Sequence, residues 1–143
     1  MILDGDMFVK SKNKGFTLIE LLVVLVLISL LAGLVGPRLF QKVGSSKTKV
    51  AEAQIELLVS ALNTYRLDIG DYPSTEEGLS ALSRSPDGVL NWDGPYLSKD
   101  LPNDPWGRPY HYELKSDGDF AIYSLGKDNR KGGEGEDQDI GRF

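Results

Sequence analysis

The chain has 143 residues, 16 Lys plus Arg against 21 Asp plus Glu, one histidine and no cysteine. That length holds one domain with one real core and is too short for two. A net charge of −5 makes a poor grip for nucleic acid phosphates, and the absence of cysteine removes disulfides, thiol nucleophiles and thiolate metal sites. The hydrophobic content of 41% is ordinary, but it is unevenly spread.

From Leu18 to Val35 the sequence reads LIELLVVLVLISLLAGLV, broken only by Glu20 and Ser29. At ~1.5 Å rise per residue this run with its flanks reaches the ~30 Å of a bilayer core. It is apolar on every side, so it is no single face of a soluble helix, and the remaining chain is too short to wrap it. A transmembrane helix is the expectation. A secretory signal is the competitor, but Ala32-Gly33-Leu34-Val35-Gly36 offers poor cleavage material and no released mature terminus follows. Lys10, Lys12 and Lys14 precede the span, and Arg38, Lys42, Lys47 and Lys49 follow it with no acid before Glu52. The positive-inside rule therefore gives no vote on topology. A carboxylate within an apolar helix costs ~2.5–3.5 kcal/mol on insertion scales, so Glu20 calls for a purpose or a partner.

The segment KGFTLIELLVVLVLISLLAGLVGP resembles the N-terminus of type IV pilins and type II secretion pseudopilins. The resemblance implies that a prepilin peptidase cuts between Gly15 and Phe16 at the cytoplasmic side and that Phe16 becomes methylated. It makes Glu20 the family's fifth mature residue, and implies that Glu20 pairs with the Phe16 amine of a neighbouring subunit; pairing with its own terminus is the competing account. Met7 is an alternative start to Met1 that shortens the leader. The organisation expected is a leader over 1–15, a transmembrane helix over 16–36 and a periplasmic domain over 37–143.

Gly36-Pro37 interrupts the pattern where the helix leaves the bilayer; a kink is expected there rather than a stop, because helical spacing resumes. Ala51, Ile55, Leu58, Leu62, Tyr65 and Ile69 recur at steps of four and three and form one apolar stripe. Gly44-Ser45-Ser46 predicts a locally loose helix between the two segments. Asp68 to Pro73 carries stop signals. Ser74 with Glu77 spells a capping box before a short helix holding Leu79, Ala81 and Leu82. Residues 83–109 read as an ordered loop anchored by Trp92, Tyr96 and Trp106. Two aromatic and β-branched runs, 110–114 and 120–125, flank Asp117-Gly118 and predict a hairpin. The expected fold class is α+β: a long N-terminal helix, transmembrane in its first half and amphipathic in its second, packed on a small antiparallel sheet.

His111 sits between two tyrosines in the first hairpin strand and reads as an ordinary strand residue. No nucleophile elbow or phosphate-cradling glycine loop is present, and nothing converges as an enzyme would need. The tail from Lys127 is rich in glycine and charge, a composition typical of disorder. It also offers carboxylates from Asp128, Glu134, Glu136, Asp137 and Asp139 among four glycines, the donor chemistry of calcium. It is not an EF-hand, and on composition alone a solvated acidic tail equals or outweighs a metal site.

YPSTEEGLSAL, LPNDPWGRPYHYEL and YSLGKDNRKGGEGEDQDI resemble the major pseudopilin of type II secretion, the general secretion pathway protein G family, over nearly the whole chain. The resemblance implies that the tail is a Ca²⁺-binding loop using the Leu125 carbonyl and the carboxylates of Asp128, Asp137 and Asp139, and it leaves open which of Glu136, Asp137 and Asp139 coordinate directly. The chain departs from that family at Asn129, where glycine is common; asparagine tolerates the left-handed region. The function implied is a structural subunit, not an enzyme, that polymerises in the periplasm to drive folded proteins across the outer membrane. Its implied partners are other copies of itself, minor pseudopilins, the prepilin peptidase, the inner-membrane assembly platform and membrane lipid. Alternatives are a type IV pilin or competence pseudopilin and, further off, a membrane-anchored periplasmic enzyme.

Overall fold

The computed structural model describes residues 14–143; the leader up to residue 13, with Met1, Met7, Lys10 and Lys12, lies outside the described residues. Helix α1 runs without a break over Leu18–Ile69. A 3-10 helix follows at Gly78–Leu82, then strands β1 (His111–Leu114) and β2 (Phe120–Ser124), a 3-10 turn at Gly135–Asp137 and strand β3 (Ile140–Arg142). The chain divides into two compact units, the first ending at Leu39 and the second Phe40–Phe143.

In the first unit the apolar side chains are exposed all round: Leu22, Leu25, Ile28 and Leu31 each show 56% or more of their surface. Among the described residues α1 is the one helix long and apolar enough to cross a membrane. The helix passes through Pro37 and continues. Proline forfeits one backbone hydrogen bond there, and the helix continues past that loss rather than ending.

The second unit is built on the stripe read from the sequence. Ala51, Ile55, Leu58, Leu62 and Tyr65 are buried, joined by Ala61, and Ile69 packs at their edge. They meet Leu79 and Leu82 of the 3-10 helix and Phe120 and Ile122 of β2 in one core. The capping box forms as its spacing demands: the Ser74 amide donates to Glu77 Oε2 at 2.9 Å, and the Glu77 amide to Ser74 Oγ at 3.1 Å. The box closes the turn over residues 74–77, and the helix that follows is 3-10 rather than α, as befits five residues.

β1 and β2 pair antiparallel with His111 opposite Tyr123 and Leu114 opposite Phe120. The turn between them closes with the Lys115 amide on Asp119 O. The sheet has a third strand, since β3 pairs antiparallel with β2, Ile140 opposite Ser124. Part of the segment whose composition suggested disorder is thus an edge strand, with Ile140 buried as its apolar anchor. The loop over 83–109 is ordered by its aromatics. Trp92 Nε1 donates to the Ala81 carbonyl at 2.8 Å, and the Tyr96 hydroxyl to Asp68 Oδ2 at 2.9 Å. Tyr96 meets the rings of Tyr65 and Trp92 edge to face.

Candidate functional site

Two regions hold the residues singled out from the sequence. The first is the entry to α1. Gly15 and Phe16 are exposed and precede the regular structure, and the helix begins two residues after Phe16. Thr17 and Glu20 cap that start reciprocally: the Thr17 amide donates to Glu20 Oε2 at 3.0 Å, and the Glu20 amide to Thr17 Oγ1 at 3.2 Å. Glu20 therefore satisfies an orphan amide at the helix N-terminus, where a negative charge also suits the helix dipole. The T-L-I-E spacing carried that signal, and the sequence reading missed it while attending to the charge of Glu20.

The second region is the tail between β2 and β3. It crosses back on itself: the Lys127 amide donates to Glu136 O at 2.9 Å, and the Gly132 amide to Asp139 Oδ2 at 3.0 Å. The crossing is tight at Gly126, which has a φ of +70°. A Cβ there would lie 2.7 Å from Glu136 O and 2.8 Å from Gln138 O, so only glycine admits the passing backbone. Asn129 takes the left-handed conformation at φ 55°, as its residue type allows.

Asp104 and Arg108, which the sequence reading did not single out, hold the base of this loop. Asp104 is buried; its Oδ2 accepts from Ser124 Oγ at 2.7 Å, and its Oδ1 from the amides of Trp106 and Arg108. Ser124 Oγ in turn accepts from the Gly126 amide, and the Arg108 guanidinium donates to the Gly126 and Lys127 carbonyls. The signal was present in Asp104-Pro-Trp-Gly-Arg: an acid placed before a proline-glycine turn caps the amides of that turn.

The structure does not gather Asp128, Asp137 and Asp139 into a ready carboxylate cluster. Among the described residues no three acidic or histidine side chains converge on one point. Asp128 turns its Oδ1 to the Arg130 amide at 3.0 Å within its own turn, and Asp137 and Asp139 are half-buried. Asp139 Oδ1, however, is a buried oxygen with no hydrogen-bond partner. A lone buried acceptor on an ionisable side chain is costly unless a cation or donor meets it. The loop's oxygens, a few carboxylates with backbone carbonyls, are the donor set that a hard cation takes. The residues present fit Ca²⁺ in that sense.

His111 is exposed and stacks on Tyr123 with centroids 5.0 Å apart. That is the place of a surface strand residue.

A long helix, apolar enough in its first part to cross a membrane and packed in its second part on a small antiparallel sheet, is the architecture of a pilin-like subunit. Residues 10–36 match the prokaryotic N-terminal methylation motif, and residues 38–143 match the model of type II secretion system protein G. The chain belongs to the type II secretion system protein G family. It is 42% identical to the type II secretion system core protein G of Pseudomonas aeruginosa, covering 94% of this chain and 97% of that one. The core protein G of Vibrio cholerae is 40% identical, over 92% of each chain. The crystal structure of the major pseudopilin from the type 2 secretion system of enterohaemorrhagic Escherichia coli superposes with a TM-score of 0.54 at 34% identity, covering 67% of this chain and 85% of that one. The family is one of structural secretion pseudopilins and not an enzyme family.

Proposed function

We propose that this chain is the major structural subunit of a type II secretion pseudopilus, anchored in the inner membrane with its C-terminal domain in the periplasm. The observation that carries this reading is the full-length likeness to core protein G, joined to an exposed apolar helix fit to wait in lipid before assembly. Polymerisation draws on other proteins: a prepilin peptidase that cuts at Gly15-Phe16, an assembly platform in the inner membrane and minor pseudopilins. Once cut, Phe16 presents a free amine beside Glu20. Opposite charges in lipid attract far more strongly than in water, so pairing Glu20 with the Phe16 amine of a neighbouring copy offsets the desolvation of both. The test supplies this chain to a host that lacks its own major pseudopilin but retains the machinery. Secretion and periplasmic filaments should return with the wild type and fail with Glu20→Ala, although insertion and cleavage persist. Filaments that form normally in that variant refute the role of Glu20, and no rescue by the wild type refutes the function.

The tail reads as a Ca²⁺ loop. Asp139 supplies the orphaned oxygen, Asp128 and Asp137 the further carboxylates and Leu125 a carbonyl, with Glu136 adjacent. The bound ion would neutralise the acidic side chains and close the loop. Stabilisation follows RT ln(1 + [Ca²⁺]/Kd), ~2.7 kcal/mol at a hundredfold excess over Kd. Residues 40–143, which carry their own core, should melt higher in Ca²⁺ than in Mg²⁺ or chelator, and Asp139→Asn should remove most of that difference. A melting temperature indifferent to Ca²⁺ ends this reading.

A further inference from the structure

Between Phe40 and Val50, Gly44 is the one buried residue of α1; the core stripe begins only at Ala51. Glu136 of the tail is what covers Gly44. A Cβ added there would lie 2.5 Å from Glu136 Cγ and 2.6 Å from Oε1, inside the side chain. Glu136 is itself held from behind by Lys127, whose Nζ lies 3.2 Å from Oε2 and whose amide donates to the Glu136 carbonyl at 2.9 Å. Around this contact the helix and the tail enclose an open cavity of 840 Å³, so the two surfaces are otherwise loosely joined. Within a helix glycine is the weakest former after proline, and Gly44 has no left-handed φ to require it. A residue unfavourable to its own helix fits here because it leaves a notch.

We infer that Gly44 is a docking notch for Glu136, and that this contact, braced by Lys127, fixes residues 41–50 of α1 to the C-terminal loop. Both are positioning residues for the assembly subunit. The order of the loop is thereby transmitted to the stretch of helix that precedes the core stripe. The contact stands whether or not the loop takes a metal, because it uses Glu136 and Lys127 through side-chain packing and an ion pair.

Helix propensity and docking predict opposite signs for Gly44→Ala. Alanine strengthens the helix locally, so a glycine without a role would exchange its neighbours' amides more slowly on replacement. Docking predicts that the new methyl expels Glu136 and frees the loop. The experiment measures amide hydrogen exchange in the full chain in detergent micelles for wild type, Gly44→Ala, Glu136→Ala and the double variant. The Lys127 amide, bonded to Glu136 O, should exchange about tenfold faster in Gly44→Ala while the Ala121 amide of β2, opposite Glu113 of β1, stays protected, so that the domain is known to be folded. In the Glu136→Ala background, adding Gly44→Ala should leave Lys127 unchanged and slow exchange over 42–50, since the group that clashed is gone. Glu136→Gln, which keeps the shape, should keep residues 42–50 protected. Slower exchange over 42–50 with Lys127 unchanged in the single variant overturns the inference, as does equal acceleration of Lys127 in both backgrounds. Running wild type with Ca²⁺ and with chelator separates the two readings: indifference to Ca²⁺ ends the metal site and leaves the notch untouched.

Discussion

The core of the second unit and the C-terminal loop are neighbours that stand on different chemistry. In the core, Leu58, Leu62, Tyr65, Leu82, Phe120 and Ile122 are sealed from solvent and hold one another by area alone. From Lys127 to Asp139 no residue is buried, and what holds the chain is a set of amide–carbonyl crossings, the Arg108 guanidinium and one exposed ion pair. Burial is cooperative and indifferent to solution conditions near neutrality. Hydrogen bonds and charges at the surface are each worth little net and respond to ions and pH. The core is thus built to persist and the loop to be conditional.

The largest way to break that contrast is to open the core. Phe120 is fully buried, flanked by the rings of Tyr72 and Tyr112. Phe120→Ala should cost about 3–5 kcal/mol, a large share of what a domain of this size possesses. Urea unfolding of residues 40–143 should show the midpoint collapse, with or without Ca²⁺. A loss below about 1 kcal/mol would mean that the loop, and not the core, carries the unit.

The same contrast explains what could be read from the sequence. The stripe from Ala51 to Ile69, the capping box at Ser74 and the hairpin around Asp117-Gly118 are local patterns whose period or spacing states their geometry. β3 was not legible, because three residues, one of them Gly141, show no alternation and pair only through a partner in β2. The place of Gly44 was half legible for a related reason. Propensity says that glycine loosens a helix, but α1 is continuous there, and the residue that gives Gly44 its place lies at position 136. The acidic tail announced its oxygens but not their arrangement, since Asp128 serves its own turn and Asp139 lies against Gly132. The Asp104–Arg108 base passed unnoticed because its partners, Ser124 and Gly126, are remote in the chain.

An intermediate effect sharpens the comparison from the core's side. Burial pushes the Tyr110 and Tyr112 hydroxyls well above the usual tyrosine range, Asp104 adding to the rise for Tyr110 and Tyr65 and Glu77 for Tyr112. Tyr112 donates to the Pro73 carbonyl at 2.7 Å, and Tyr110 to Gln54. A raised pKa in the fold means stability fully present below the unfolded value of ~10 and lost as pH climbs through the folded one. Melting temperature should hold from pH 7 to about 9.5 and fall beyond. Tyr112→Phe should lose about 1 kcal/mol at neutrality and soften the alkaline fall. An alkaline profile unchanged in Tyr112→Phe would show that this hydroxyl contributes nothing to it.

The smallest effect belongs to the sheet edge, where the two kinds of chemistry meet. Arg142 of β3 sends Nη2 to Asp119 Oδ1 at 2.7 Å and lays its guanidinium over the Phe120 ring, 4.6 Å from the centroid. The Phe120 amide also donates to Asp119 Oδ1, and that bond, with Arg142 beside it, holds the Asp119 carboxyl below its usual range. A lowered carboxyl pKa contributes stability above the unfolded value of ~3.9, and loses it as pH falls through the folded value. Because both side chains are about 40% exposed, water and salt screen the pair, and its share of stability at pH 7 should be slight. Arg142→Gln should therefore lower the melting temperature less than either substitution above. Arg142→Lys keeps the charge but loses the planar face over Phe120, so it separates ion pairing from ring stacking. If stacking dominates, Lys and Gln should be equally deficient and added salt should not matter. If pairing dominates, Lys should match wild type, and moderate salt should erase the difference between wild type and Gln. The backbone bond to Phe120 is the first cause of the Asp119 shift and survives both variants, so the acid limb of the stability curve should move only a little. An acid limb displaced fully to the ordinary aspartate range in Arg142→Gln would show that the arginine, and not the backbone, sets the charge at this edge.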